Sequence, residues 1–306
     1  MAGNYKKMEK RKLGKTELEV SVLGFGGAEI GYDNSMTEEK AGLLLNSALD
    51  AGLNVIDTAA AYLKSEKLIG AAVGRRRKEF NLFTKCGALE GSTRFDWSKK
   101  GILETVENSL RDLRTDYLDI VQLHSCDKEI LRRGEAIEGL LRAQEKGYTR
   151  YIGYSGDNED ARYAIELDVF DSLQTSVNIA DQSAIETNIP LAVEKQMGII
   201  AKRPIANAVW RHEERPHDGY VHEYWDRIQK LQYDFLKKSL EESVATALRF
   251  TMTIPGVDTM IVGTVQPGRW SENARYVAEG KLSEEEFEAI RDRWREVADE
   301  NWLGQV

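Results

Sequence analysis

The segment EAIEGLLRAQEKGYTRYIGYS, residues 135–155, contains the repeating unit of this chain. Its first part, residues 135–147, spaces apolar side chains three and four positions apart, as on one face of an amphipathic helix. That part ends in Gly147, a residue suited to a left-handed helix C-cap. The short apolar run at residues 150–155 then predicts a strand. The segment therefore predicts a helix that leads directly into a strand.

The same alternation runs along most of the 306 residues. Apolar runs predict eight strands, at residues 21–25, 53–57, 80–84, 117–124, 150–155, 170–176, 197–202 and 259–264. Amphipathic stretches predict helices between them, at residues 37–52, 102–114, 135–147 and 239–250. Strand–helix units of about 30 residues imply right-handed parallel crossovers, and eight of them can close a barrel. We therefore predict an α/β fold, a (β/α)8 TIM barrel in which residues 1–306 form a single domain.

An open, doubly wound sheet is the main alternative, because it also alternates strands with helices. Such a sheet normally carries a glycine-rich turn after its first strand. The first predicted strand leads into GFGGAEIG, residues 24–31, which lacks the spacing of that turn. The acidic residue that would accompany it on a second strand is also missing, so the sequence favours the barrel.

Two segments fall outside the repeat. Residues 11–21 read as two short strands around a turn, and we expect an N-terminal β-hairpin that plugs the lower end of the barrel. Residues 204–235 exceed the length of a crossover and predict a long loop after strand 7, on the face where such barrels carry out chemistry. The aromatic residues of this loop either line that face or pack the loop's own helix, and the sequence leaves both open.

Charge and composition narrow the class of partner. The formal net charge of −9 argues against nucleic acid, which needs a dominant basic patch. No run approaches the roughly 20 apolar residues that cross a bilayer, so we expect a cytoplasmic protein without a membrane partner. Cys86 and Cys126 have no partners at metal-ligand spacing, so neither a disulfide framework nor a metal site is predicted. Small-molecule substrates are the expected partners, and the oligomeric state stays open.

Four titratable residues stand at the ends of three successive predicted strands. Asp57 ends the second strand with Tyr62 beyond it, Lys85 follows the third, and His124 ends the fourth. In a barrel of this class the C-terminal ends of all strands meet at one mouth, so these side chains are expected to be neighbours. Taken singly, each has an ordinary explanation, such as a helix cap for Asp57 or a surface position for Lys85.

Together, the four residues suit the transfer of a proton to oxygen. A tyrosine with a pKa of about 10 is a better acid beside an ammonium, so Lys85 is expected to lower the pKa of Tyr62. Asp57 would keep Lys85 charged, and His124 would hydrogen-bond a carbonyl oxygen. Without a metal-ligand set or a covalent nucleophile, hydride from a nicotinamide is the natural partner of such a proton donor.

The chain resembles the aldo-keto reductase family. NVIDTAAAY (54–62), LFTKCG (82–87) and VQLHS (121–125) match that family's three catalytic segments in the same order, and the resemblance runs from about residue 11 to about residue 295. It implies a (β/α)8 barrel and a nicotinamide cofactor, with Tyr62 as general acid in a tetrad of Asp57, Tyr62, Lys85 and His124. The activity it implies is NAD(P)H-dependent reduction of aldehyde or ketone carbonyls to alcohols.

The resemblance also implies a cofactor site. Ser155 and Gln174 match the residues that hold the nicotinamide carboxamide. The segment that meets the adenosine end is matched by Gly263, Thr264, Arg269, Glu272 and Asn273. Arg269 would fork onto a 2′-phosphate, although Gly263 replaces a lysine found in many NADPH-preferring relatives. NADP(H) is therefore the expected cofactor, with use of NAD(H) left open.

Two further positions depart from the family pattern. Gly156 stands where an asparagine is usual, so a side chain within Asp157–Asn158 would have to replace its contact. Lys202 stands where many relatives carry a tyrosine that stacks on the nicotinamide, which leaves Arg203 or Trp210 as replacements. We count Lys202 and Arg203 among the expected cofactor-binding residues.

Substrate-binding residues are expected on the barrel loops, from position alone. The candidates are Ala28, Trp97, Ser125, Trp210, His212 and Trp225. A nicotinamide-binding regulatory or scaffold protein with little turnover is the alternative function, since some members of the family serve as channel subunits. The complete set of four titratable residues argues against it.

Overall fold

Eight parallel strands close into a barrel in the computed structural model, which describes residues 8–89 and 94–305. The barrel strands are β3 (Leu23–Gly26), β4 (Val55–Asp57), β5 (Asn81–Cys86), β6 (Leu118–His124), β7 (Thr149–Ser155), β8 (Ser172–Ser176), β9 (Gly198–Lys202) and β10 (Val257–Gly263). Each pairs with the next in chain order, and β10 also pairs with β3. The predicted (β/α)8 barrel is confirmed, and the open sheet is excluded because both of its edges would be unpaired.

An antiparallel hairpin precedes the barrel, as predicted. It consists of β1 (Lys10–Lys12) and β2 (Glu19–Ser21). Its apolar side chains form one buried cluster with side chains from the barrel interior: Leu13, Leu18, Val20, Val55, Phe83, Ile120, Ile200 and Ile261. Gly14 turns this hairpin with φ +49°, and a Cβ there would lie 2.3 Å from the backbone nitrogen of Gly198. The hairpin therefore seals the end of the barrel opposite the strand C-termini.

Helices cover the outside of the barrel. They are α1 (Ala28–Tyr32), α2 (Glu38–Asp50), α3 (Ser65–Val73), α4 (Lys99–Asp112), α5 (Lys128–Arg133), α6 (Glu135–Glu145), α7 (Asn158–Glu166), α8 (Ser183–Glu186), α9 (Asn188–Glu194), α10 (His222–Leu231), α11 (Leu240–Thr253), α12 (Arg269–Ala278) and α13 (Glu284–Val297). The four predicted helices correspond to α2, α4, α6 and α11. Gly52 and Gly147 follow α2 and α6 with φ +92° and +76°, the left-handed conformation that ends a helix.

The long connection after β9 stands at the C-terminal end of the barrel, as predicted. It contains 3-10 turns at Ala206–Arg211, Gly219–Val221 and Asp234–Lys237, with α10 between the last two. Tyr224, Ile228 and Leu231 of α10 are buried in the main core, so part of this connection packs its own helix. Among the described residues, no helix is both long and apolar enough to cross a membrane.

Candidate active site

A buried ion pair lies beneath the mouth of the barrel. Lys85 Nζ lies 2.5 Å from Asp57 Oδ1 and donates a second hydrogen bond to the carbonyl oxygen of Thr58 at 2.9 Å. Both charged side chains are only 1% exposed. Burial alone would lower the pKa of Lys85, but the Asp57 carboxylate and Tyr62 raise it above its ordinary value. The lysine therefore stays charged in a buried site.

The second oxygen of Asp57 is also satisfied. Gln174 Nε2 donates to Asp57 Oδ2 at 2.8 Å, and Gln122 Nε2 approaches the same oxygen at 3.4 Å. Three donors from three other strands therefore hold this carboxylate, which is the condition for a buried charge to be stable.

Tyr62 lies beside this pair. Lys85 Nζ is 5.0 Å from the centroid of the Tyr62 ring, and the ring meets His124 edge-on at a centroid distance of 5.6 Å. Burial raises the pKa of Tyr62 above its ordinary value, and this outweighs the lowering by the Lys85 charge. Lys85 thus lowers the pKa of Tyr62, as predicted, but the larger effect of burial leaves the net pKa above its ordinary value and the hydroxyl protonated.

His124 is a neutral neighbour. Its Nδ1 atom is buried without a hydrogen-bond partner among the described residues. Burial, followed by the charges of Lys85, Lys202 and Arg203, holds the pKa of His124 well below its usual range. The imidazole can thus present a hydrogen bond without carrying a charge. In the strand register, His124 lies opposite Ser155, which in turn lies opposite Gln174.

A large cleft opens above these residues, with a volume of about 1560 Å³. The predicted catalytic residues Asp57, Tyr62 and His124 line it, with Lys85 buried below. The predicted cofactor residues that line it are Ser155, Gln174, Lys202, Arg203, Gly263, Thr264, Arg269 and Asn273. The predicted substrate residues that line it are Ala28, Ser125 and His212. Residues from every barrel strand except β5 thus line one space, as expected of a barrel mouth.

Besides Lys85, four predicted residues lie outside this lining in the described part of the chain. Trp210 donates its Nε1 hydrogen to Ser243 Oγ at 2.9 Å, and Trp225 donates to the carbonyl oxygen of His212 at 3.3 Å. Trp97 stacks on Phe95, at a centroid distance of 5.3 Å. The fourth is Glu272, whose carboxylate faces Arg269. The three tryptophans were predicted from position alone, and each contacts neighbours outside the cleft lining or the backbone beside it.

Comparison with known proteins gives the family of this arrangement. The model of the Aldo/keto reductase family matches residues 22–295. The chain belongs to the aldo/keto reductase family. Carbonyl oxidoreduction with a nicotinamide cofactor is the general chemistry of that family, and the chain is an enzyme of that class.

Individual relatives of this aldo/keto reductase agree over nearly the whole length. An uncharacterized oxidoreductase of Bacillus subtilis, YqkF, is 30% identical, with 94% of this chain and 97% of the relative covered. L-galactose dehydrogenase of Arabidopsis thaliana is 25% identical, with 89% of each chain covered. The holo form of aldo-keto reductase AKR11C1 from Bacillus halodurans has a TM-score of 0.83 and 28% identity, covering 96% of this chain and 99% of its own.

The side-chain space at Gly156 is filled by another residue. A Cβ at Gly156 would lie 2.6 Å from the hydroxyl of Tyr154, which donates to the carbonyl oxygen of Cys126 at 2.6 Å. Neither neighbour supplies the missing asparagine. Asp157 accepts from Thr175 and Ser176, and it lies outside the described cleft lining. The side chain of Asn158 bonds the backbone of residue 304.

Lys202 is held at the edge of the cleft rather than extended into it. Its Nζ atom lies 2.8 Å from Asp157 Oδ2, and the lysine side chain is 12% exposed. Burial lowers the pKa of Lys202, and the Asp157 carboxylate opposes that effect. Of the two proposed replacements for the stacking tyrosine, Trp210 lies outside the lining, whereas Arg203 is within it.

Arg203 connects the cleft to the C-terminal segment 303–305. Its guanidinium donates to Ser176 Oγ, to the Tyr220 hydroxyl and to the carbonyl oxygen of Gln305. The backbone N–H of Gln305 donates to Asp181 Oδ2 at 2.9 Å. Hydrogen bonds thus hold this segment across the C-terminal ends of β7, β8 and β9.

Three contributors to the site were missed in the sequence. Gln122 stands two residues before His124 in a strand, so the alternation of side chains already placed both on one face. Tyr32 and Tyr220 line the cleft with 54% and 57% of their surface exposed. The rings of Tyr32 and Tyr62 lie 6.1 Å apart between centroids, a contact between α1 and the loop after β4 that no spacing in the sequence predicts.

The two cysteines of the chain are ordinary buried thiols. Cys86 and Cys126 are free and each is 1% exposed. Burial raises the pKa of both thiols far above the ordinary value, which disfavours the thiolate that reacts with oxidants.

Proposed function

We propose that this enzyme reduces aldehyde or ketone carbonyls to alcohols with NAD(P)H, and that Tyr62 is the general acid. The observation that carries the proposal is the buried Lys85–Asp57 pair beside Tyr62 and His124, at the floor of a large cleft. Such a site can give a proton to a carbonyl oxygen while the adjacent carbon receives hydride.

The residues of the cleft fit a nicotinamide cofactor. The Ser155 hydroxyl and Gln174 Oε1 lie 3.3 Å apart, a donor and an acceptor suited to the two ends of a carboxamide. Asn273 Oδ1 is buried elsewhere in the lining and has no hydrogen-bond partner among the described residues, which is expected of an atom that hydrogen-bonds a ligand. The cofactor, when bound, supplies the hydride.

Each catalytic residue has a distinct role in the proposal. Tyr62 holds the proton at its hydroxyl, because burial keeps its pKa high. The Lys85 ammonium stabilises the phenolate that remains after the proton has left. Neutral His124 donates a hydrogen bond to the carbonyl oxygen and orients it toward Tyr62.

The proposal includes a preference for NADP(H). It is supported by Arg269, which lines the cleft and whose planar guanidinium suits a phosphate dianion. In the described structure that guanidinium bonds Glu272 at 2.9 Å and Gln266 at 3.3 Å, both on the surface and exchangeable for a phosphate. A cytoplasmic setting is also part of the proposal, supported by the two free cysteines.

The test combines binding with turnover. NADPH and NADH are titrated by calorimetry, and nicotinamide absorbance is then followed over a panel of aldehydes and ketones with the wild type and Lys85→Met. We expect binding by both proteins and turnover by the wild type alone. Binding without turnover on any carbonyl contradicts the reductase and favours the regulatory alternative. No binding of either coenzyme contradicts both.

A further inference from the structure

The carboxyl group of Glu29 occupies the side-chain space of position 263. A Cβ placed on Gly263 would lie 1.6 Å from Glu29 Oε2 and 2.0 Å from Glu29 Cδ. Glu29 projects from α1, directly after β3, and β3 pairs with β10 so that Gly26 lies opposite Gly263. A side chain at position 263, a lysine included, would have to displace this carboxyl group.

The Glu29 carboxyl faces the cleft, where burial raises its pKa above the ordinary value. Both Glu29 and Arg269 line the cleft, and Glu29 is exposed to it. Within residues 8–89 and 94–305, no ion pair and no side-chain hydrogen bond joins Glu29 to another residue. The adenosine end of the proposed coenzyme site therefore contains an attractive guanidinium and an opposing carboxylate.

We propose that Glu29 is a coenzyme-specificity residue, whose carboxylate repels the 2′-phosphate of NADPH and accepts a hydrogen bond from the 2′-hydroxyl of NADH. This inference rests on the proposed function, because it requires the adenosine end of the coenzyme at Gly263 and Arg269. A carboxylate suits a ribose hydroxyl pair, whereas a phosphate dianion beside it is a like-charge contact. The enzyme consequently uses NADH as well as NADPH, with only a small preference set by Arg269.

The experiment measures the dissociation constants of NADPH and NADH by calorimetry in the wild type, Glu29→Gln and Glu38→Gln. Glu38 is an exposed residue in the first turn of α2, so its substitution makes the same change in net charge outside the cleft. We expect the ratio of the NADH constant to the NADPH constant to rise roughly tenfold in Glu29→Gln and to stay unchanged in Glu38→Gln. The rise should shrink at 1 M salt, where the Debye length is about 3 Å.

A second variant perturbs the same carboxyl group without changing the charge. Gly263→Ala places a Cβ in the space of the Glu29 carboxyl. We expect it to raise the ratio of the NADH constant to the NADPH constant when Glu29 is present and to leave that ratio unchanged in a Glu29→Ala background. An unchanged ratio in Glu29→Gln, or an equal rise in Glu38→Gln, overturns the inference while the reductase stands. A wild type that binds neither coenzyme overturns the proposed function itself.

Discussion

Gln174 and Asp57 are joined by a hydrogen bond across the interior of the barrel. Asp57 ends β4 and Gln174 lies on β8, the second and sixth of eight strands, which puts them on opposite walls. Gln174 Nε2 nevertheless lies 2.8 Å from Asp57 Oδ2. The amide proposed to hold the nicotinamide is thus bound to the carboxylate that holds Lys85, so the cofactor site and the proton-donating site share one contact.

Gln174→Leu should therefore impair both sites. It removes the carboxamide acceptor and one donor of the Asp57 carboxylate, and we expect coenzyme affinity to fall about tenfold together with turnover at saturating coenzyme. Calorimetry and steady-state kinetics measure the two effects. Gln122→Leu is the matched control, because its 3.4 Å contact reaches only Asp57, and it should spare affinity. An effect of Gln174→Leu on affinity alone would mean that the cross-barrel contact does not serve the proton donor.

Tyr62→Phe should retain coenzyme binding and lose most turnover, by roughly 10²–10⁴-fold, because it removes the general acid and leaves the ring in place. The measurement is the single-turnover rate with saturating coenzyme. Tyr32→Phe is the control, since Tyr32 lies beside Tyr62 in the same cleft and has its own hydroxyl bonded to the carbonyl oxygen of Ala61. Near-normal rates in Tyr62→Phe would end the proposed role of this residue.

Arg269→Ala should weaken NADPH about tenfold or more and change the affinity for NADH little, because only NADPH carries the 2′-phosphate. Both dissociation constants are measured by calorimetry. Arg275→Ala controls for loss of a cation on the same helix, as its guanidinium faces Glu241 on the surface. Equal weakening of both coenzymes in Arg269→Ala would show that this arginine does not read the phosphate.

Lys202→Met should destabilise the fold by about 3–5 kcal/mol, because it leaves the buried Asp157 carboxylate without its cation. The free energy of unfolding from urea titration measures this loss. The double variant with Asp157→Asn should recover most of it, since no unpaired charge then remains. Additive losses in the double variant would mean that the 2.8 Å contact contributes little.

Asp181→Asn should change how stability depends on pH. Burial, reinforced by the Asp157 charge, raises the pKa of Asp181 from 3.8 to about 7 in the folded protein. The folded state therefore binds more protons than the unfolded state between these values, and wild-type stability falls as pH rises through that window. The difference in the free energy of unfolding between Asp181→Asn and the wild type should therefore shift in favour of the variant by roughly 1–3 kcal/mol as the pH rises from 4 to 8. Urea titrations at several pH values measure it, and a difference that does not vary with pH would contradict the assignment.

Periodicity predicts the helices of this chain because each buries one face, and continuous apolar runs predict the strands because they are buried on both faces. Strand order then follows from short crossovers. The same logic places Asp57 and His124 at one mouth, since both end parallel strands. It does not predict the hydrogen bond from Gln174 to Asp57, which depends on how far two side chains extend across the barrel interior. Nor does it reach the Glu29 carboxyl, whose position is set by the empty side-chain space at Gly263.

The fastening of residues 303–305 has a consequence for synthesis of the chain. Gly304 bonds Asn158, 146 residues earlier, and Gln305 bonds Asp181 and Arg203, 124 and 102 residues earlier. A nascent chain on the ribosome can pair its strands in order as they emerge, but these bonds cannot form until residue 305 has left the exit tunnel. The hydrogen bond from Arg203 to Gln305 therefore forms after the barrel strands have been synthesised and can pair.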